Sequence, residues 1–178
     1  MKIQEVIDAL EQFASLPLQE SYDNAGLQVG LTEADVSGAL LCLDVTESVI
    51  DDAVARGCNL IIAHHPLLFR GLKMVSDADY VQRSVWKAVQ NNVCIVAMHT
   101  NLDNAYGGVN HEIAALLGLE NVTFLAGQRT IPDPYGGMTP QSQLTGGSGI
   151  IGTLGQETDP ETFIHDVKRV FGAECCMT

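Results

Sequence analysis

Cationic residues are scarce in this sequence, in which 9 Lys and Arg stand against 22 Asp and Glu. The formal net charge is -13, and the isoelectric point lies near 4.5. A field of this sign repels phosphate backbones, so nucleic acid is excluded as the default partner. The field is compatible with cation binding, although most acidic side chains of a globular chain belong to solvated helix faces.

Cysteines and long apolar runs are also scarce. The five cysteines are odd in number and have no Cys-x-x-Cys spacing, which argues against a disulfide framework. The N-terminus lacks the hydrophobic region of a signal peptide, and no apolar run approaches the roughly 18 residues of a membrane span. We therefore expect a cytoplasmic protein that has no membrane partner.

The sequence does contain the pattern of an α/β protein. Hydrophobic residues make up 46% of the 178 residues and charged residues 17%, which is enough for a sizeable core. Apolar runs at residues 36–43, 60–63 and 93–98 are typical of strands. The amphipathic segment 47–56 joins the first two runs as a β-α-β unit. We predict an α/β fold with a mixed, largely parallel sheet flanked by helices.

Further helices are predicted at both ends of the chain and in its middle. Residues 3–14 form an amphipathic segment that covers the sheet, another helix begins at Ser76, and Asp159 caps a third. We predict a single α/β domain over residues 1–178. Residues 127–147 are rich in Gly, Pro, Gln and Thr, and we predict that they form a flexible loop.

Polar side chains follow two of the predicted strands directly. His64 and His65 end one strand, and the other runs into His99 and Asp103. Parallel neighbouring strands lie about 4.8 Å apart, so these side chains can meet over one point. Strict alternation would separate the two adjacent histidines, but Pro66 ends the strand and allows both rings to turn to one side. Two imidazoles and a carboxylate at one point indicate a metal site; histidines with solvated or structural roles are the alternative.

Three other polar or glycine-rich positions have mainly structural interpretations. Tyr22-Asp23-Asn24 is interpreted as an Asx turn, and a position facing the histidines is the alternative. Asp44 is interpreted as a helix cap rather than a neighbour of the metal site. Gly107-Gly108 is interpreted as a plain turn rather than a phosphate cradle.

Three stretches, in the order SYDNAGLQVG, IIAHHPLLF and HTNLDNAYGGVNHEIA, resemble the Nif-three-like dinuclear metal-centre family, also called the GTP cyclohydrolase 1 type 2 family. The resemblance covers residues 3–125 and extends over residues 149–171. It implies a Nif-three-like fold, a toroidal homohexamer and paired divalent metals. Residue by residue, His64, His65 and Asp103 match the family's first-half metal ligands.

The sequence departs from the family pattern at its C-terminal end. Family members continue into a second half, which supplies a further His and a Glu from a GHxxSE-like motif, and this motif is absent from the 178 residues. We therefore expect a C-terminally incomplete member, either truncated or a fragment. Without the second-half His and Glu, the resemblance does not by itself imply full metal occupancy or activity for these 178 residues.

The resulting functional hypothesis is metal-assisted hydrolysis. Two divalent cations can bridge a water or hydroxide, lower its pKa and polarise a substrate. His64 and His65 would bind through neutral imidazole nitrogens, and Asp103 would bridge the metals. His99 would orient a ligand or carry a proton, with a buried structural histidine as the alternative.

The ligand types limit the choice of metal, and the family resemblance implies a substrate. Mixed nitrogen and oxygen ligands fit Zn, Fe, Mn, Co or Ni. The family name implies a nucleotide substrate, GTP. The rival hypothesis is a non-catalytic metal-binding scaffold or regulator, in which the metals hold the subunits of an oligomer together.

Overall fold

The computed structural model describes residues 1–132 and 143–175. Its elements in chain order are α1 (Ile3–Phe13), a short 3-10 helix (Leu16–Leu18), β1 (Gly26–Val29), β2 (Ala39–Cys42), α2 (Glu47–Ala55), β3 (Leu60–Ala63), α3 (Tyr80–Gln90), β4 (Cys94–Ala97), α4 (Thr100–Asn104), α5 (Val109–Leu116), β5 (Leu119–Pro132), β6 (Gln143–Leu154) and α6 (Pro160–Phe171).

A four-stranded sheet in the order β1-β4-β3-β2 forms the centre of the fold. Strand β3 pairs in parallel with both β2 and β4, and β1 runs antiparallel to β4. The predicted mixed, largely parallel sheet is therefore confirmed. Ala63 lies opposite Ala97 at the ends of β3 and β4, so the residues that follow both strands leave the sheet at the same edge.

Helices cover both faces of this sheet, because successive residues of a strand point to opposite faces. One core cluster joins the central strands to α2 and α3; its members include Ile50, Ala53, Ile61, Ala63, Val85, Ala88 and Ile95. A second cluster joins the alternate strand residues to α1; its members are Ile3, Ile7, Leu60, Cys94 and Val96. Burial on both faces explains why β3 and β4 are apolar runs without alternation.

Capping side chains decide where three of the helices begin. The Thr46 hydroxyl accepts from the Val49 amide at 3.3 Å, which starts α2 as predicted. Asp159 caps α6, also as predicted. Helix α3 begins at Tyr80 and not at Ser76, because the Asp79 side chain caps it by accepting from the Gln82 amide at 2.9 Å. The prediction for the start of α3 was therefore wrong.

Helix α4 is a single turn that tertiary hydrogen bonds hold in place. Asn101 Nδ2 donates to the Ala14 carbonyl at 2.7 Å, and Asn104 Nδ2 donates to the Leu18 carbonyl at 2.9 Å. Both asparagines are buried. A helix this short is not stable alone, so its bonds to the segment after α1 determine its position.

Strands β5 and β6 form a separate antiparallel sheet. Residues 127–132 and 143–147 belong to these strands, although their composition predicted a loop. At Gly146 an added Cβ would lie 2.5 Å from a Leu18 methyl and 2.6 Å from the Asn104 carbonyl oxygen. The glycine there allows the close approach of β6 to α4 and does not mark a loop. Residues 133–142 of the predicted loop lie outside the described residues.

The helices of the described ranges are all short, and α6 is the longest at 12 residues. Across residues 1–132 and 143–175, we find no helix with the length and apolar character needed to cross a membrane.

Candidate metal centre

Three imidazole rings lie together at the edge of the sheet where β3 and β4 end. The ring centroids of His64, His65 and His99 are 5.0 to 5.6 Å apart. One nitrogen of each ring lies within 4.8 Å of the nitrogens of the other two. This spacing, which follows from the parallel pairing of β3 with β4, allows the cluster to hold a metal ion.

The main chain of the cluster continues the hydrogen-bond ladder of the sheet. The His64 amide donates to the Cys42 carbonyl at 3.1 Å, and the His65 amide donates to the Leu43 carbonyl at 2.9 Å. On the other side, the Met98 amide donates to the Ala63 carbonyl at 2.8 Å. The histidine backbone is thus anchored on the central sheet, while the side chains lie beyond its edge.

His64 has its tautomer set by a main-chain partner. Its Nδ1 lies 2.9 Å from the Met98 carbonyl oxygen, which can only accept, so Nδ1 carries the hydrogen and Nε2 keeps its lone pair. His64 Nε2 lies 3.9 Å from Asp103 Oδ1. Two electron-pair donors therefore face each other across a gap too long for a hydrogen bond. A divalent cation fits this donor set, since imidazole nitrogen and carboxylate oxygen are both common ligands.

His65 has an exposed carboxylate partner. Its Nδ1 lies 2.8 Å from Asp44 Oδ1, and the side chains of His65 and Asp44 are 45% and 64% exposed. The interpretation of Asp44 as a helix cap was wrong, because Thr46 caps α2 and Asp44 accepts from His65. The Nε2 atom of His65 is again the nitrogen left with a lone pair.

His99 has a buried carboxylate partner from a distant part of the chain. Its Nδ1 lies 2.8 Å from Asp23 Oδ1, whose side chain has no solvent exposure. Burial by itself raises the pKa of Asp23, but hydrogen bonds from His99, Thr100 and Asn24 outweigh it and lower the pKa below 3.8. Asp23 is therefore ionised at neutral pH and accepts the Nδ1 hydrogen of His99.

The Asx-turn interpretation of Asp23 was incomplete. Asp23 Oδ1 does accept from the Asn24 amide at 2.6 Å, as in a local turn, but the same oxygen binds His99 across 76 residues. The available signal was the SYDNAGLQVG stretch itself, which contributed to the family resemblance without having any residue assigned to the site.

Asp103 comes to the cluster on α4, and the turn after this helix requires glycine. Asn110 Nδ2 donates to the Asp103 carbonyl at 2.9 Å. A Cβ added at Gly108 would lie 1.9 Å from the Leu102 carbonyl oxygen, and Gly107 has a φ of +74°. Close packing under α4 thus explains the glycine pair, in agreement with its interpretation as a turn.

Comparison with known proteins places the chain in a family. A family model described as Duf34/NIF3 (NGG1p interacting factor 3) matches residues 1–178. The chain belongs to the Duf34/NIF3 family. The resemblance noted from the sequence motifs is thereby confirmed.

Two curated relatives of this Duf34/NIF3 chain are named GTP cyclohydrolase 1 type 2 homolog. The protein from Clostridium acetobutylicum is 36% identical over 126 residues, which are 71% of this chain and 47% of the relative. The protein from Staphylococcus epidermidis is 40% identical over 125 residues, which are 70% of this chain and 34% of the relative. The chain thus matches about half, or less, of these relatives' length.

Solved structures of similar proteins have the same fold. A Staphylococcus aureus hypothetical protein superposes with a TM-score of 0.82 at 29% identity, covering 97% of this chain and 65% of that one. A Bacillus cereus protein related to NIF3 superposes with a TM-score of 0.80 at 25% identity, covering 97% of this chain and 70% of that one. The Nif-three-like fold prediction is confirmed.

Proposed function

We propose that this Duf34/NIF3 chain contributes to a dinuclear divalent-metal centre and that this centre hydrolyses a nucleotide. The observation that carries the proposal is the set of free electron pairs on the histidine cluster and Asp103. All three rings have Nδ1 engaged by an acceptor, and His64 Nε2 faces Asp103 Oδ1. Neutral imidazoles with such partners are well-oriented metal ligands.

His64, His65 and Asp103 are the proposed metal ligands of this chain. The two histidines would bind through a ring nitrogen, and Asp103 would contribute its two carboxylate oxygens. This donor set accepts Zn, Fe, Mn, Co or Ni. When bound, divalent cations supply Lewis acidity that activates water and polarises the group to be cleaved.

His99 is the proposed proton carrier. Its side chain is 18% exposed, so it lies close to solvent but within the site. The Asp23 carboxylate holds the hydrogen on Nδ1 and leaves Nε2 free to accept a proton during hydrolysis.

The substrate class and assembly rest on the relatives and the resemblance. Both curated relatives are named for GTP cyclohydrolase 1 type 2, which supports GTP as the first nucleotide to test. The resemblance supports a homohexamer. This chain covers less than half of those relatives, so the activity of the whole protein is proposed for the complete centre.

A non-catalytic scaffold is the second candidate, and an exposed apolar edge favours it. Strand β2 lies at the edge of the central sheet, and near that edge the side chains of Leu41 and Leu43 are 74% and 59% exposed. An unpaired edge with exposed leucines is suited to contact with another subunit.

Metal content and turnover separate these two candidates. The protein, purified without an affinity tag, is loaded with Zn²⁺ or Mn²⁺, desalted and measured by elemental analysis beside His65→Ala, Asp103→Ala and His165→Ala. His165 lies exposed on α6 and is the matched control. We expect about one or two equivalents of metal in wild type and in the control, and a loss in the two site variants.

GTP hydrolysis and oligomer size are then measured on the same samples. Turnover that the site variants lose, without a change in oligomer size, supports the hydrolase. Bound metal without turnover, together with a smaller oligomer in the site variants, supports the scaffold. Absence of bound metal in the loaded wild-type protein contradicts both.

A further inference from the structure

The geometry points to Asp23 as the positioning residue for His99: its buried carboxylate holds the ring in the one tautomer that leaves Nε2 as a free electron-pair donor. The tautomer itself is independent of any metal. The consequence for metal affinity rests on the proposed function.

The hydrogen bonds at Asp23 identify it as an acceptor. Oδ1 accepts from His99 Nδ1 at 2.8 Å and from the Asn24 amide at 2.6 Å. Oδ2 accepts from the Thr100 amide at 3.0 Å and from the Thr100 hydroxyl. Four donors use the acceptor capacity of an ionised carboxylate, and they leave no partner for a proton on either oxygen. The ring hydrogen of His99 must therefore reside on Nδ1.

The segment that carries Asp23 is itself held on both sides. The Ala25 amide donates to Gln19 Oε1 at 2.9 Å, and Asn24 Nδ2 donates to the Leu68 carbonyl at 2.7 Å. The Glu20 amide donates to Thr100 Oγ1 at 2.9 Å, so the Thr100 hydroxyl has its own hydrogen left for Asp23. These bonds fix the carboxylate before any ligand arrives, and they join it to the loop after the histidine pair.

The cluster contains an internal comparison for this role. His65 and Asp44 are also 2.8 Å apart, but their side chains are 45% and 64% exposed, whereas those of His99 and Asp23 are 18% and 0% exposed. Water competes for the hydrogen bonds of the exposed pair and screens its charges. In the buried pair the Asp23 side chain has no solvent exposure, so water competes much less for its hydrogen bonds, and a hydrogen bond is stronger in the low local dielectric. Although both pairs are 2.8 Å apart, Asp23 should therefore determine the tautomer of His99 much more strongly than Asp44 determines that of His65.

Substitution of Asp23 by asparagine keeps the shape and removes two acceptor positions. If the amide oxygen takes the place of Oδ2, it accepts from Thr100. The amide nitrogen then opposes the Asn24 amide, donor against donor, and donates to His99 Nδ1, which moves the ring hydrogen to Nε2. If the oxygen takes the place of Oδ1, the amide nitrogen opposes the Thr100 amide, donor against donor. In the first arrangement His99 Nε2 carries the ring hydrogen and has no free electron pair. In the second arrangement Thr100 is displaced.

The tautomer is measured directly by ¹⁵N NMR of the imidazole nitrogens in labelled, metal-free protein at a pH where the rings are neutral. His99→Gln provides the assignment. We expect the Nδ1–H form of His99 in wild type and a shift toward the Nε2–H form in Asp23→Leu and in the first arrangement of Asp23→Asn. An Nε2–H ring in wild type overturns the inference, and this result requires no variant to fold. Asp23→Leu offers the ring no acceptor in any orientation, and an unchanged tautomer in the folded Asp23→Leu protein overturns the inference equally.

Zn²⁺ affinity, measured by competition with a chromophoric chelator, tests the consequence. One nitrogen of His99 lies within 4.8 Å of a nitrogen of His64 and of His65, so Zn²⁺ supplied without substrate can use His99 as a third ligand. Loss of a carboxylate behind a ligating histidine typically weakens metal binding about 10- to 100-fold. We expect a loss of this size in Asp23→Asn and a loss of less than about threefold in Asp44→Asn, whose exposed pair is screened. Equal losses in the two variants would overturn the distinction between the buried and exposed pairs. If no form binds Zn²⁺, the proposed function fails, while the NMR result still decides the role of Asp23.

Discussion

Replacing Gly108 by alanine should disrupt the turn that supports Asp103. The added Cβ would lie 1.9 Å from the Leu102 carbonyl oxygen, about 1.1 Å inside the 3.0 Å limit that real Cβ contacts respect. The obstacle is a backbone atom of α4 and not the end of a flexible side chain, so rotamer changes do not relieve the contact. Either the turn or α4, and with it Asp103, has to move.

The expected cost of Gly108→Ala lies at the upper end of the overpacking range, about 3 kcal/mol. For a chain of this size that corresponds to a decrease in Tm of about 6 to 12 °C. Gly71→Ala is the matched control, because an added Cβ at Gly71 has no neighbouring atom within 4 Å and its φ is not in the left-handed region. We expect the control to change stability by less than about 0.5 kcal/mol.

The assay is urea unfolding, followed by circular dichroism, with Zn²⁺ affinity measured on the same preparations. The reasoning predicts that Gly108→Ala loses both stability and affinity, since a displacement of about 1 Å at a ligand is enough to disturb a site. If Gly108→Ala unfolds within about 0.5 kcal/mol of Gly71→Ala, the turn tolerates a side chain. The close packing would then not explain the glycine pair.

Three further predictions concern acid stability, the core and a thiol. The pKa of Asp23 is lowered below 3.8 in the folded chain, so its contribution to stability is complete at higher pH and is lost as the pH falls through the folded pKa. The urea midpoint of unfolding should therefore fall less steeply with decreasing pH in Asp23→Asn than in wild type. Parallel profiles of the two proteins would contradict this. Ile95 is completely buried, whereas Leu41 is 74% exposed. The free energy of unfolding should therefore fall by about 2 to 5 kcal/mol in Ile95→Ala and by less than about 0.5 kcal/mol in Leu41→Ala. Similar losses for the two variants in urea titrations would show that burial does not determine the loss of stability. Burial raises the pKa of Cys94 to about 11. In the native protein at pH 8, iodoacetamide should therefore label the exposed Cys175 well before Cys94. Equal labelling rates of the two thiols, measured by mass spectrometry, would contradict the burial of Cys94.

The central features of the fold could be predicted because they depend on local pattern. Strands β3 and β4 are apolar runs that end in histidine, and their parallel pairing follows from the helices between the strands. The meeting of His64 and His65 with His99 is a consequence of that pairing, since in-register strands end at the same edge. The sequence therefore contained enough information to locate the histidine cluster.

The remaining parts of the site depend on contacts that local pattern does not encode. Helix α4 has a single turn, too short to show a 3.6-residue period, and buried asparagines hold it through carbonyls more than 80 residues away. The Asp23–His99 contact spans 76 residues, so the local turn chemistry of Asp23 concealed its second partner. In the β5–β6 sheet, glycine at position 146 contributed to the prediction of a loop, but the structure requires glycine there because Leu18 lies too close for a side chain.

The extension of the sheet ladder beyond β3 and β4 links cation binding to global stability. The His64 and Met98 amides donate to the Cys42 and Ala63 carbonyls, so the main chain around the proposed ligands is ordered as part of folding. Little conformational entropy would remain to be lost on cation binding. A cation that binds only this folded arrangement raises the free energy of unfolding of the entire central sheet, by about 2.7 kcal/mol when its free concentration is 100 times Kd. If the proposed centre binds metal, metal availability would set the folded fraction of the chain, whether or not the centre performs hydrolysis.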